Sequence, residues 1–485
     1  MRLIFFLFIS NLLFGYYKND PKIISVAGAY NTLAIGYQSV GVNPANLAFS
    51  DGVTINLMSM NLSLSNNFLT KERINNLRGA DLENENAVNY YPKDKILKFL
   101  NNQSLTTSAN FDFPIPFLNF STGTFAFTSN VKSFSKGDFS QDLVKLALYG
   151  NEIDSVYNFS INNNGFLVYE TSFSKGFKFD NFGIGFTIKH LKGILGFSYE
   201  TLDESEFITT VEEINLNKSS YLLRQNTMGD GFGLDLGIAL DDVKSGWKFG
   251  MSIINMFANI NWNKKSFLDD SFDGFYSTVY EQTDLGYNQN FYLDVMINNL
   301  NLDTLNNDVE LSDLFIIDTL KVYESNTSLI EGSYYSQITH KYYVPTDSLC
   351  VDSDPICIEE YLSDLPPSVV KLDYPTTFNL GISKRVNDKQ LYMVDLSTGI
   401  DNSFNNIEKW KLAIAAEFGK KNFPFRIGYS YGGSDRENIG LGFGVYIPTN
   451  KGRFAFDLGF GYKGSYNFNS ANGIDFGFGF SWIGI

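Results

Sequence analysis

The last eleven residues, Asp475 to Ile485, constrain this chain more than any other stretch. In an extended strand Phe476, Phe478, Phe480 and Trp482 fall on one face, and Gly477, Gly479 and Ser481 on the other. A soluble sheet buries its aromatic face and wets a polar one, but here the second face is almost bare. The pattern suits a strand whose apolar side meets hydrocarbon and whose small side faces a lumen. An aromatic residue close to the chain end also suits the signal read by barrel-assembly machinery.

The same period-2 comb recurs along the C-terminal third. Phe454, Phe456, Leu458, Phe460 and Tyr462 alternate with residues that include Arg453 and Asp457. Phe425, Ile427, Tyr429 and Tyr431 form another comb, as do Ile439, Leu441, Phe443 and Val445. Trp410, Leu412, Ile414 and Phe418 face away from Lys411 and Glu417, and Phe378, Leu380 and Ile382 precede Tyr392, Val394 and Leu396. Upstream, Phe182 to Ile188, Phe232 to Ile238 and Trp247 to Ile253 repeat the alternation. A soluble two-layer β protein would bring a fold-back signal between such strands, and none appears. The fold class is therefore all-β, a transmembrane antiparallel up-and-down barrel. Aromatic residues make up 16% of the chain and Gly contributes 41 positions, as strands averaging a greasy and a bare face require.

Link lengths set the topology. Arg385–Lys389, Gly419–Asn422 and Pro448–Gly452 are short, like periplasmic turns, and alternate with the longer Asp401–Lys409 and Lys463–Asn472. Phe113–Pro116, Lys178–Asn181 and Asp241–Ser245 are short links on the same side. Strands near 53–64, 104–113, 117–130, 165–177, 181–191, 229–240 and 246–261 make seven, and seven more follow residue 374. About 14 strands result, or 16 if the 263–373 segment hides another wall hairpin. Even parity places 263–373 outside the cell, together with 65–103, 132–163 and 192–228. Helical stretches are expected at Thr70–Leu77, Pro92–Leu100 and Gln141–Tyr149, and β structure at Ser333–Val344.

Met1 to Gly15 reads as a signal peptide: a basic start, an apolar run too short to span a membrane, and a small residue for cleavage. No later run approaches the roughly 18 apolar residues of a membrane helix. The expected location is the outer membrane, with lipid as the wall's partner. The net charge of −16 and the absence of basic blocks argue against nucleic acid. Cys350 and Cys357, the two cysteines, are expected to form a local disulfide in an oxidising compartment. The insertion is acidic, but Asp352-x-Asp354 lacks the Gly and Glu spacing of a calcium loop, so it reads as a solvated surface and no metal is expected.

Residues 16–52 are rich in small side chains and keep neither helical nor strand period. A wide lumen must be water-filled or plugged, and this segment is expected to plug it. Gly36 and Gly41 permit tight paths and Asn43-Pro44 favours a turn, which makes these four the expected plug-shaping residues. Residues 53–485 then form the barrel.

Val42-Asn43-Pro44-Ala45-Asn46-Leu47-Ala48 resembles the signature that ends the N-terminal plug of the FadL/toluene-transporter superfamily, which includes PorV-like barrels of a protein-secretion system. Asn66–Glu72, Lys189–Gly193, Gly231–Gly237 and Gly250–Trp262 add to the likeness, closest to an uncharacterised FadL-like branch. Asn46 replaces the usual Gly, and the 263–373 insertion exceeds the family's loops. The resemblance implies a 14-stranded barrel with an N-terminal hatch and passive uptake of hydrophobic or amphipathic small molecules through a lateral opening. Its PorV-like members imply an alternative: a sealed scaffold whose acidic insertion binds a surface protein. No cofactor motif is present. Catalysis is not expected: His190 lies near a strand's outer end with Ser198 and Glu200 following, but two His do not make a catalytic set.

Overall fold

The computed structural model describes residues 18, 20–100, 103–150, 152–201, 205–209, 214–217, 219–227, 229–261, 374–400, 409–420, 422–433 and 436–484, and within 262–373 four strands. The wall consists of β1 (Val53–Asn66), β2 (Leu105–Pro114), β3 (Phe120–Thr122), β4 (Phe125–Phe139), β5 (Ile161–Phe179), β6 (Phe182–Thr201), β7 (Asp230–Asp242) and β8 (Trp247–Asn261). It continues with β9 (Thr377–Asn387), β10 (Gln390–Gly399), β11 (Lys411–Lys420), β12 (Phe423–Gly432), β13 (Glu437–Thr449), β14 (Gly452–Lys463) and β15 (Gly473–Gly484).

Apart from β2 and β3, each strand pairs antiparallel with the next, and β15 returns to β1 through Thr54↔Ile483 to Ser65↔Gly473. Because β1 and β4 each pair with both β2 and β3, those two pieces occupy one position in the wall. The result is a closed 14-strand barrel. β8 pairs directly with β9, so the insertion adds no wall strand. Its described strands instead build outward: Asn290–Met296 pairs with Ser219–Thr227, which itself pairs with the top of β6.

The barrel is inside-out relative to a soluble protein. Phe425, Phe443 and Ile414 are 46%, 47% and 51% exposed, whereas Arg426, Asp457 and Asp235 on the opposite face are 3%, 3% and 0% exposed. Hydrocarbon is the one medium that satisfies such an outer face, and closure leaves the sheet without a free end strand in it. Among the described residues no helix is long and apolar enough to cross a membrane. The wall crosses with strands.

The expected short turns lie together at one end, between Phe179↔Phe182, Asn387↔Gln390, Lys420↔Phe423 and Thr449↔Gly452. One expected link is different. The chain does not reverse at Phe113–Pro116: it bulges through 115–119, resumes the same direction as β3, and turns at Gly123, whose φ of +52° suits a residue without Cβ.

At the other end the long strands β5 and β6 rise beyond the roughly 9–11 residues that cross a membrane. The helices α2 (Lys71–Leu77), α3 (Lys93–Leu97) and α4 (Gln141–Tyr149) lie here, where the sequence places them. Thr70 caps α2 by accepting from the Arg73 N–H at 3.1 Å. Phe68, Ile96, Leu100, Leu105 and Phe139 gather these elements into a small apolar core above the wall.

Candidate functional site: an occupied lumen beside a broken wall strand

The N-terminal segment runs through the barrel and touches most sectors of its inner wall. Asp20 opens α1 (Pro21–Ser25) by accepting from the Lys22 N–H at 2.9 Å, and Pro21 sits in the first turn, where its missing N–H costs nothing. All of α1 is buried. It lies against β12 to β15, where added Cβ atoms at Gly428, Gly440 and Gly459 would overlap the backbone of Val26, Ile24 and Pro21. The chain then crosses to β8, β9 and β10. The Asn31 N–H donates to Asp395 Oδ2 at 2.6 Å, Asn31 Nδ2 donates to the Gly250 carbonyl at 3.2 Å, and Thr32 bonds Ser383 at 2.8 Å. Next comes the 3₁₀ turn Gly36–Ser39 against β1 and β3. Finally the 3₁₀ helix Pro44–Phe49 beds on β5, β6 and β7, where Gly176, Gly185 and Gly237 leave it room.

The sequence-expected residues fall on this path. Gly36 has φ of +55° and a virtual Cβ that would collide with Thr54 and Ser121; Gly41 has φ of +72°. Asn43 is fully buried, caps the Pro44–Phe49 turn by accepting from the Ala45 N–H at 3.1 Å, and donates to the Ile238 carbonyl at 3.1 Å. Pro44 occupies the first position of that turn. Cys350 and Cys357 lie outside the described residues, as does the 1–15 leader. His190 sits half exposed on the outer face beside Phe232, with Nε2 3.5 Å from Asp230.

Sequence reasoning missed the charged seats. Lys22 Nζ reaches Asp457 Oδ2 at 3.5 Å and Gln38 Oε1 at 3.2 Å. Asp457 also accepts from Arg426 at 2.7 Å and from the Tyr446 hydroxyl at 3.0 Å, and Arg426 Nε donates to Glu417 at 2.8 Å. Burial alone would lower the Lys22 pKa, but Asp457 together with Tyr446 and Tyr30 outweighs it and holds the ammonium well above its ordinary value. Burial likewise pushes the Tyr30 phenol up. On the opposite wall Lys132 pairs with Glu170 at 2.9 Å and Lys189 with Asp235 at 2.8 Å, and the Tyr374 hydroxyl donates to Glu170 at 2.6 Å. Beyond that belt an apolar layer lines the lumen: Phe134, Phe166, Val168, Leu191 and Ile260. The signal for the charged seats was present in the combs as single charges, Asp457 and Glu417 among them, on otherwise bare faces.

The second missed feature is the break in the wall. β2 pairs with β1 from Asn61 upward and β3 pairs from Ile55 downward. Between them Asn56 alone bridges, receiving the Phe117 N–H at 2.8 Å and donating its own N–H to the Asn119 carbonyl at 2.8 Å. Phe117, with φ of +64°, and Leu118 are 65% and 43% exposed. The buried Asn119 carboxamide stitches the gap to β4, donating to the Ser129 carbonyl at 2.8 Å and accepting from the Ser129 N–H at 3.3 Å. The Gly36–Ser39 turn abuts this break: the Tyr37 N–H donates to Thr54 Oγ1 at 3.2 Å, and Thr54 bonds Ser121 at 2.7 Å. At the outer end of β1 and β15 an open pocket of about 470 Å³ is lined by Leu64, Leu69, Ile74, Ala109, Phe468 and Ile474.

A closed antiparallel barrel with an apolar exterior defines the class: a transmembrane β-barrel of the outer-membrane type. The chain is similar to the toluene transporter TbuX of Ralstonia pickettii, at 11% identity and a TM-score of 0.48, covering 98% of this chain and 100% of that one. It is also similar to the toluene transporter TodX of Pseudomonas putida, at 9% identity and a TM-score of 0.41, covering 97% and 98%. No protein-family profile matches the chain, and no curated protein does. The architecture stands on its own closed ladder.

Proposed function

We propose that this barrel carries hydrophobic or amphipathic small molecules passively into the outer membrane. The observation that supports it most directly is the lapse in pairing between β1 and β2, which lies against the N-terminal segment that fills the lumen. On this reading a solute enters among the outer loops and descends past the lumen's apolar layer of Phe134, Phe166 and Leu191. Displacement of the N-terminal segment, acting as a plug, lets it leave sideways between Met58 and Phe117. A solute that leaves through the wall reaches hydrocarbon without crossing the periplasm, so its own partition free energy drives the step. No bond is made or broken, and no cofactor takes part. A 1–15 signal peptide delivers the chain, and lipid surrounds it.

The test is uptake of toluene and of a medium-chain fatty acid by proteoliposomes. Flux above that of empty liposomes, lost when residues 115–119 are replaced by two residues that restore an unbroken ladder, is the expected result. A sealed barrel with no flux would leave the scaffold reading, which rests on the acidic 263–373 insertion.

A further inference from the structure

The N-terminal segment is held by two kinds of contact, and they differ in reversibility. Its second half, Asn43 to Phe49, is seated by neutral hydrogen bonds and by backbone lying on glycines, and it runs directly into β1. Its first half also lies on glycines, but it carries a contact of another kind, the ion pair between Lys22 and Asp457. The wall side of that pair is complete without Lys22. Asp457 keeps Arg426 and Tyr446, and Arg426 keeps Glu417, so departure of Lys22 strands no unpaired carboxylate. On leaving, the Lys22 ammonium regains water. A buried charge whose counter-ion is already neutralised by a permanent partner is a seat that can be vacated and refilled.

We propose that Lys22 and Asp457 form the latch of the N-terminal segment: release of this pair frees residues 18–35, first α1 from β12 to β15 and then Asn31–Thr32 from β8 to β10, while Asn43–Phe49 stays as the hinge. The proposal rests on the transport reading for its purpose, but not for its test. Lys22 is a positioning residue. It holds the segment and touches no solute.

The experiment follows the segment itself. In full-length protein with Cys350 and Cys357 replaced by Ser, the buried Ala29 is changed to Cys and labelled in proteoliposomes with a membrane-impermeant maleimide, while ion conductance is recorded in planar bilayers. Lys22→Met and Lys22→Gln should each label at least about tenfold faster and conduct more often than the parent, because the segment loses its charged bond to the wall while the wall keeps its own partners. Lys22→Arg, which keeps the charge, should restore slow labelling. Should the Met variant fail to assemble, as judged by heat-shifted mobility on gels, the Gln variant reads the same contact. Labelling and conductance unchanged in both neutral variants would overturn the latch. Equal acceleration in Lys22→Arg would also overturn it, since that marks loss of shape rather than charge. If labelling follows the charge while no variant passes toluene or fatty acid, the latch stands and the transport reading falls.

Discussion

The wall from β11 to β15 and the wall from β1 to β4 are built from the same alternation, yet they behave differently. From β11 to β15 every ladder keeps its register, with an aromatic or aliphatic side chain outward and mostly glycine, small or polar residues and paired charges inward. The β1–β4 sector has a bulge at Asn56/Met58 against β15, a strand split into two pieces, and an exposed Phe117 at positive φ. The regular sector provides a template on which α1 can lie. The irregular sector gives up pairing in mid-wall, where each lost hydrogen bond in hydrocarbon is expensive. Strain kept at that cost is the usual mark of a working part, and here the interior segment touches it.

Four experiments would break or sharpen this contrast. The largest effect on the N-terminal segment is expected in the regular sector from Gly440→Leu, whose side chain would occupy the place of the Ile24 carbonyl. The segment should lose its seat, with trypsin cutting it in proteoliposomes, and the barrel should lose roughly 1–3 kcal/mol. An intact, protected segment would mean that α1 does not bear on this wall. Next, Phe443→Lys places a charge on the lipid face and should cost about 2–4 kcal/mol near mid-membrane, read as a lower urea midpoint in liposomes. It should leave the segment protected, which is why it ranks second for the contrast. In the irregular sector, Asn119→Ala removes the stitch to Ser129 and should cost about 1–3 kcal/mol while raising hydrophobic flux through a wider gap. Reduced flux would show that the gap is not the exit. The smallest change belongs to Asp395→Asn, which keeps an oxygen for the Asn31 N–H. Losing only the charge assistance should cost about 1 kcal/mol or less, with labelling of the segment nearly unchanged.

How much was readable follows the same division. The C-terminal combs display their period because each strand has one medium on each side, so parity, turn side and the outward insertion could be counted from residues such as Phe454, Phe456 and Leu458. The three helices were legible as helix-like stretches at Thr70–Leu77, Pro92–Leu100 and Gln141–Tyr149, the second with Pro92 in its first turn and Ile96, Leu97 and Leu100 on one face. Phe113-Pro-Ile-Pro116 misled because two prolines in four residues resemble a hairpin end. Proline lacks a ladder donor, and a mid-wall excursion explains it equally well. Only the partners of Asn56 and Asn119, distant in sequence, distinguish the two. The glycines opposite the aromatics read as bare lumen lining. That Gly185 and Gly428 are seats for Pro44 and Val26 could not be seen, because a missing side chain does not say what fills its place. Asp457 was visible as an inward charge, but its pairing with Lys22 spans most of the chain.

The seam between β1 and β15 joins the first wall strand to the last, and the segment that fills the lumen precedes both. The ring therefore cannot shut before the end of the chain has been made. One step of assembly is thus written into connectivity: the seam between the first and last staves waits for β15.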